Sequence, residues 1–197
     1  MTKSEKTRSH IIEKIAPIFN MKGFAGTSLN NMTDATGLTK GSIYGNFANK
    51  DEVALVAFDY NFKSIEMKIS AAMNNQRTAK DKLLAYLIVY QGLMFGQISP
   101  GGCPVLNTSI DADDTHPALR EKALNALLSW KKQIISIIQD GISNKEIAPK
   151  YNPEQIALTV IAMIEGGIMI SRLTHTKETC ELLIDSLKAY INNLSLA

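Results

Sequence analysis

The chain has 197 residues, 45 % of them hydrophobic and 20 % charged, with a formal net charge of +2. That length buries a sizeable core in one or two domains, and the composition is ordinary for a soluble globular protein. Two cysteines, Cys103 and Cys180, exclude a disulfide scaffold, and the polar start MTKSEKTRSHI lacks a signal-peptide pattern, so a reducing cytoplasm is expected.

The charge is unevenly placed. Residues 1–50 hold seven Lys and Arg against three Asp and Glu, which leaves the remainder net acidic. A basic head on a mildly acidic body suits a chain that holds a polyanion at one end, although a solvated basic helix gives the same balance.

In chain order, residues 3–21 form an amphipathic helix with Ile11, Ile12, Ile15, Ile18 and Phe19 on one stripe. Pro17 lies inside it and should cost or kink a turn, and Gly23 ends it. Residues 27–50, TSLNNMTDATGLTKGSIYGNFANK, read as two short helices joined by a tight turn. Thr27 and Ser28 can cap the first, Leu29, Met32 and Ala35 recur at helical spacing, and Gly37 stands where a left-handed residue is needed. Thr39 can cap the second, where Ile43 and Phe47 claim the inner face and leave Lys40, Ser42, Tyr44 and Asn46 outside. This is the helix-turn-helix pattern, whose second helix enters the major groove of DNA.

Asn49 and Glu52 make a capping-box-like start to a helix that runs on to about residue 73. Thr78, with Asp81, starts the next, and residues 83–98 are apolar nearly all round, so that helix should be buried. Gln91 and Gly92 break this stretch, which falls short of the roughly 20 residues of a membrane span; no membrane partner is expected. SPGGCP, at 99–104, is the strongest loop signal. A short helix over 105–111, a long one over 117–142, a polar linker over 143–152, and helices over 153–173 and 177–194 complete the chain. No strand pattern appears. The fold class is all-α, about nine helices, with a head over residues 1–50 and a larger helical body over 51–197.

The ordered set Phe24, Thr27, Ser28, Ala35, Gly37, Thr39, Lys40, Gly41, Ser42, Ile43, Tyr44, Phe47, Lys50 and Val53-Ala54-Leu55 resembles the TetR/AcrR family of bacterial transcription regulators over roughly residues 5–60. The resemblance implies a three-helix DNA-binding head, a ligand-binding and dimerising body, and double-stranded operator DNA as partner. Lys40 and Lys50 can neutralise phosphates, and Thr27, Ser28, Ser42 and Tyr44 can donate hydroxyl hydrogen bonds to them. Gly41 and Gly45 allow close approach, although a helix-interior glycine weakens a helix by about 1 kcal/mol. Asn46 stands where relatives often carry histidine. The DNA-contact set is therefore Thr27, Ser28, Thr39, Lys40, Ser42, Tyr44, Gly45, Asn46 and Lys50.

One recognition helix reads few base pairs, so such proteins pair on two half-sites. The family dimerises through its last two helices; here Ile161, Ile164, Ile168 and Leu173, with Leu183, Leu187 and Ile191, form the expected seam, and Gly166-Gly167 permits close approach. The resemblance also implies a small-molecule effector. Tyr86, Tyr90, Met94, Phe95, Trp130 and Met163 give an apolar, adaptable lining, with Cys103 beside it and Asn107 and Glu165 as polar handles. Plain core packing accounts equally for each residue alone.

The leading reading is a ligand-released repressor without metal or cofactor, since His10, His116 and His175 are scattered. An alternative makes Cys103 a thiol sensor of electrophiles in the same fold. An enzyme lacks a nucleophile–base pair or phosphate loop, and an interaction adaptor leaves the basic head idle.

Overall fold

The computed structural model describes residues 2–194. Among them are nine helices and no strand: α1 (Lys3–Gly26), α2 (Leu29–Thr36), α3 (Lys40–Tyr44), α4 (Lys50–Met73), α5 (Ala79–Met94), α6 (Pro104–Ala112), α7 (Pro117–Ser143), α8 (Pro153–Thr174) and α9 (Lys177–Asn192). The all-α expectation holds.

Contacts group the chain into two compact units, residues 1–64 with 99–126 and residues 65–98 with 127–197. This differs from a boundary at residue 50, because α6 and the start of α7 pack with the N-terminal helices.

In the first unit, α1 buries Ile11, Ile12, Ile15, Ala16 and Phe19, while Ile18 is only half-buried. Pro17 does not end the helix; the backbone bends at Gly23 instead, where φ is 70°. The bend frees the Phe24 amide, which donates to Asp111 Oδ2 at 2.7 Å. One turn earlier, buried Asn20 donates to the carbonyls of Pro100 (2.7 Å) and Gly102 (3.0 Å), and Asn107 Nδ2 donates to the Asn20 carbonyl (3.0 Å) and to that of Gly101 (2.8 Å). The SPGGCP loop and α6 are thereby fastened to α1 by polar contacts that no periodicity displays. His116 is held at both ring nitrogens: the Leu119 amide donates to Nδ1 at 3.2 Å, and Nε2 faces Asp51 Oδ1 at 3.0 Å.

In the second unit α5, α8 and α9 pack on one another. Thr78 and Asn152 cap α5 and α8 through hydrogen bonds to the amides of Asp81 (3.0 Å) and Glu154 (2.9 Å). The α5 helix stops at Met94 rather than running to 98, and Gly96 turns the chain at φ 70°. Among the described residues, the helix long and apolar enough by composition to cross a membrane is α8, not the 83–98 stretch, and just under half of its apolar window is buried within the chain.

Candidate nucleic-acid interface

The α2 and α3 helices are both started by hydroxyls. Ser28 Oγ accepts the Asn31 amide at 3.1 Å while Asn31 Oδ1 accepts the Ser28 amide at 3.1 Å, and Thr39 Oγ1 accepts the Ser42 amide at 3.2 Å. Between them Gly37 takes the left-handed conformation, φ 68°, that a tight helix-to-helix turn requires. Met32, Ile43 and Phe47 are sealed beneath, so the outer side of α3 is set by exclusion.

That outer side carries most of the expected contact set. Lys40, Gly41, Thr39, Ser28 and Gly45 are exposed, and Ser42, Tyr44, Asn46 and Lys50 are half-buried. Two expectations are corrected. Thr27 is completely buried and its hydroxyl donates to the Gly23 carbonyl at 2.7 Å, so it closes α1 instead of capping α2 or facing a phosphate. Gly45 is not a helix-interior glycine, because α3 ends at Tyr44 and Gly45 is its cap; the interior penalty does not arise. Asn46 is already engaged, accepting from Ser4 Oγ at 3.3 Å and donating to the Ser42 carbonyl at 2.9 Å. Lys50 reaches back over the Phe24 ring, 4.4 Å from its centroid.

Arg8 was not signalled by the sequence. Its guanidinium lies 4.0 Å from the Phe47 ring centroid, donates to the Asn46 carbonyl, and pairs with Glu52 at 2.6 Å. The Ala48 amide, then the Arg8 hydrogen bond, holds the Glu52 carboxyl below its ordinary range. No spacing rule connects residue 8 to residues some forty positions on.

The second unit brings together only part of the expected lining. Tyr90 and Trp130 stack, with centroids 4.7 Å apart and planes 9° from parallel. Tyr86 donates to Gln133, and burial, then the Glu66 charge, pushes its phenol up from the ordinary range. Met94 lies against Gly167, and Phe95 caps α5. Met163 and Glu165 are half-buried on α8. The Trp130 indole Nε1 is buried with no hydrogen-bond partner among the described residues.

Cys103 and Asn107 group with the first unit. The amide of Asn107 is spent on Asn20 and Gly101, so it is a clasp rather than a ligand handle. Cys103 is 1 % exposed at the start of α6, a burial that does not favour the thiol-sensor alternative.

The expected dimer seam divides. Ile161, Ile164, Ile168, Leu187 and Ile191 are buried within the chain, whereas Leu183 is half-buried and Leu173 faces outward, 76 % exposed. The faces turned outward carry Leu158, Met169 and Leu173 on α8 and Leu182 on α9, between 49 and 76 % exposed.

Comparison with known proteins places these observations. Residues 11–57 match the family described as bacterial regulatory proteins, tetR family, and residues 79–187 match the tetracyclin repressor-like C-terminal domain. The HTH-type transcriptional regulator YxaF of Bacillus subtilis (strain 168) is 27 % identical over 186 residues, covering 93 % of this chain and 94 % of that protein. The HTH-type transcriptional repressor DhaR of Mycobacterium sp. (strain GP1) is 22 % identical, covering 87 % and 85 %. The crystal structure of a TetR-family regulator from Cytophaga hutchinsonii superposes with TM-score 0.93 at 46 % identity, over 100 % of this chain and 98 % of that one. With a capped helix-turn-helix, an all-helical body and matches over both parts, the chain belongs to the TetR family and is a DNA-binding transcriptional regulator.

Proposed function

We propose that this regulator is a repressor, binding a palindromic operator as a homodimer in the cytoplasm and leaving it when a small apolar or aromatic effector binds. The observation that carries the reading is the outer side of α3, where Lys40, Ser42 and Tyr44 stand over a sealed base of Ile43 and Phe47. The cation of Lys40 and the hydroxyls beside it suit phosphates, and the short helix suits the major groove. Lys50, Thr39 and Ser28 flank it.

Dimerisation is supported by the apolar side chains that α8 and α9 turn outward. Four large ones on two adjacent helices are more than scattered surface residues, and a two-fold pairing there buries them. Repression is supported by the relative named as a repressor. The effector is supported by the Tyr86, Tyr90, Met94 and Trp130 cluster, whose stacked rings and flexible thioether suit a flat apolar molecule. Such a ligand releases DNA only to the extent that it binds the non-binding conformer more tightly.

A gel shift with the DNA upstream of the protein's own gene tests the core of the reading. The expected result is a retarded complex competed away by the same duplex far better than by random DNA. Absence of any complex at low salt, with that fragment and with duplexes drawn from a random pool, overturns it.

A further inference from the structure

We infer that Arg8 is a positioning residue for DNA reading: it sets the pose of the recognition helix from the far side of the α3–α4 turn without touching phosphate. The inference rests on the DNA-binding reading and adds a specificity-determining residue to it. The α3 helix has only five residues, too few to hold a helical conformation or an orientation by itself. What fixes its end must come from elsewhere. Arg8 supplies this at three consecutive positions: its guanidinium donates to the Asn46 carbonyl, lies 4.0 Å over the Phe47 ring, and pairs at 2.6 Å with Glu52, whose other oxygen accepts the Ala48 amide at 2.7 Å.

Ser4, one turn before Arg8 on α1, extends the connection. Its hydroxyl donates to Asn46 Oδ1, and Asn46 Nδ2 donates to the Ser42 carbonyl inside α3. Two residues of α1 thus reach the turn of the recognition helix that carries Ser42.

The chemistry separates this role from that of a phosphate contact. Two of the guanidinium nitrogens are committed inward, one face is covered by an aromatic ring, and the charge is met by a carboxylate. A side chain so engaged offers little to counterion release, which follows the number of phosphates neutralised. The planar fork matters: lysine keeps the charge but cannot make two divergent hydrogen bonds and stack at once.

The test uses the full-length protein with two probes, a duplex selected by the wild type from a random pool and a random-sequence duplex, each titrated across a range of salt. For Arg8→Lys the selected duplex is expected to bind about tenfold or more weakly, with random-duplex affinity and salt slope unchanged. A parallel loss on both probes overturns the inference, and so does a salt slope that falls by about one in the charge-removing variant Arg8→Gln, since that assigns Arg8 to a phosphate. Unchanged affinity for the selected duplex overturns it as well. Glu52→Gln serves as the second variant, since it removes the pairing charge while keeping an oxygen for Ala48. Discrimination between the probes should fall although the protein becomes more positive; if both affinities rise together, the carboxylate only repelled DNA and the inference fails. A wild type that selects no duplex removes the DNA-binding reading itself and this inference with it, which a variant-only failure does not.

Discussion

Lys50 has one aromatic neighbour and, on the proposed reading, a second partner in DNA. Its ammonium rests 4.4 Å from the Phe24 centroid, a contact worth about 0.5–1 kcal/mol at an exposed site. On the proposed reading a DNA phosphate is the stronger partner for the same ammonium. Lys50→Ala should therefore weaken binding to every sequence alike and lower the salt slope by about one, with a melting temperature close to wild type. Fluorescence anisotropy at several salt concentrations measures this, and an unchanged slope removes Lys50 from the contact set. Lys50 and Lys40 could be named as candidates because charge and position within a short motif are local properties. The role of Thr27 was not legible: a threonine before a helix reads as a cap, and only the bend at Gly23 shows its hydroxyl turned inward to a carbonyl. Arg8 was not legible either, since an arginine on an exposed-looking turn carries no mark of the turn it will hold.

Helix boundaries divide along the same line. Starts governed by a nearby side chain, at Ser28, Thr39, Thr78 and Asn152, coincide with the expected ones, because a cap hydrogen bond spans two or three residues. The fastening of the SPGGCP loop to α1 spans about eighty residues and left no local trace. It carries a stability prediction. Asn20 is 6 % exposed and its amide serves the Pro100 and Gly102 carbonyls, while its own oxygens receive Asn107. Asn20→Ala leaves the buried Gly102 carbonyl without that donor, while the Pro100 carbonyl keeps the Ser99 hydroxyl, and the loss costs about 1–3 kcal/mol. The urea midpoint should fall accordingly; a midpoint equal to wild type shows that the loop is held by packing alone.

At the scale of the whole molecule, the division of the expected dimer seam between core and surface has a physical origin. The α8 helix is apolar on two sides, one serving the chain's own core through Ile164 and Ile168 and the other facing out through Leu158, Met169 and Leu173. Periodicity identifies both stripes and cannot say which turns inward. The outward stripe makes a clear prediction: Leu173→Glu, at a position 76 % exposed, should leave the monomer folded and abolish pairing. Sedimentation should then give a single-chain mass, against a two-chain mass for the wild type. A wild type that sediments as one chain, or a variant that still pairs, rejects this face as the interface.

The bend in α1 has a consequence for how this sequence can drift over evolutionary time. Gly23 holds a positive φ, and the Asp111 carboxylate occupies the space a methyl group there would need. That same carboxylate satisfies the Phe24 amide released by the bend. Neither position can accept most changes while the other stays as it is. A lineage that straightens α1 must give up the acid as well, so residues 23 and 111 form one inherited unit, although most of the DNA-reading motif lies between them.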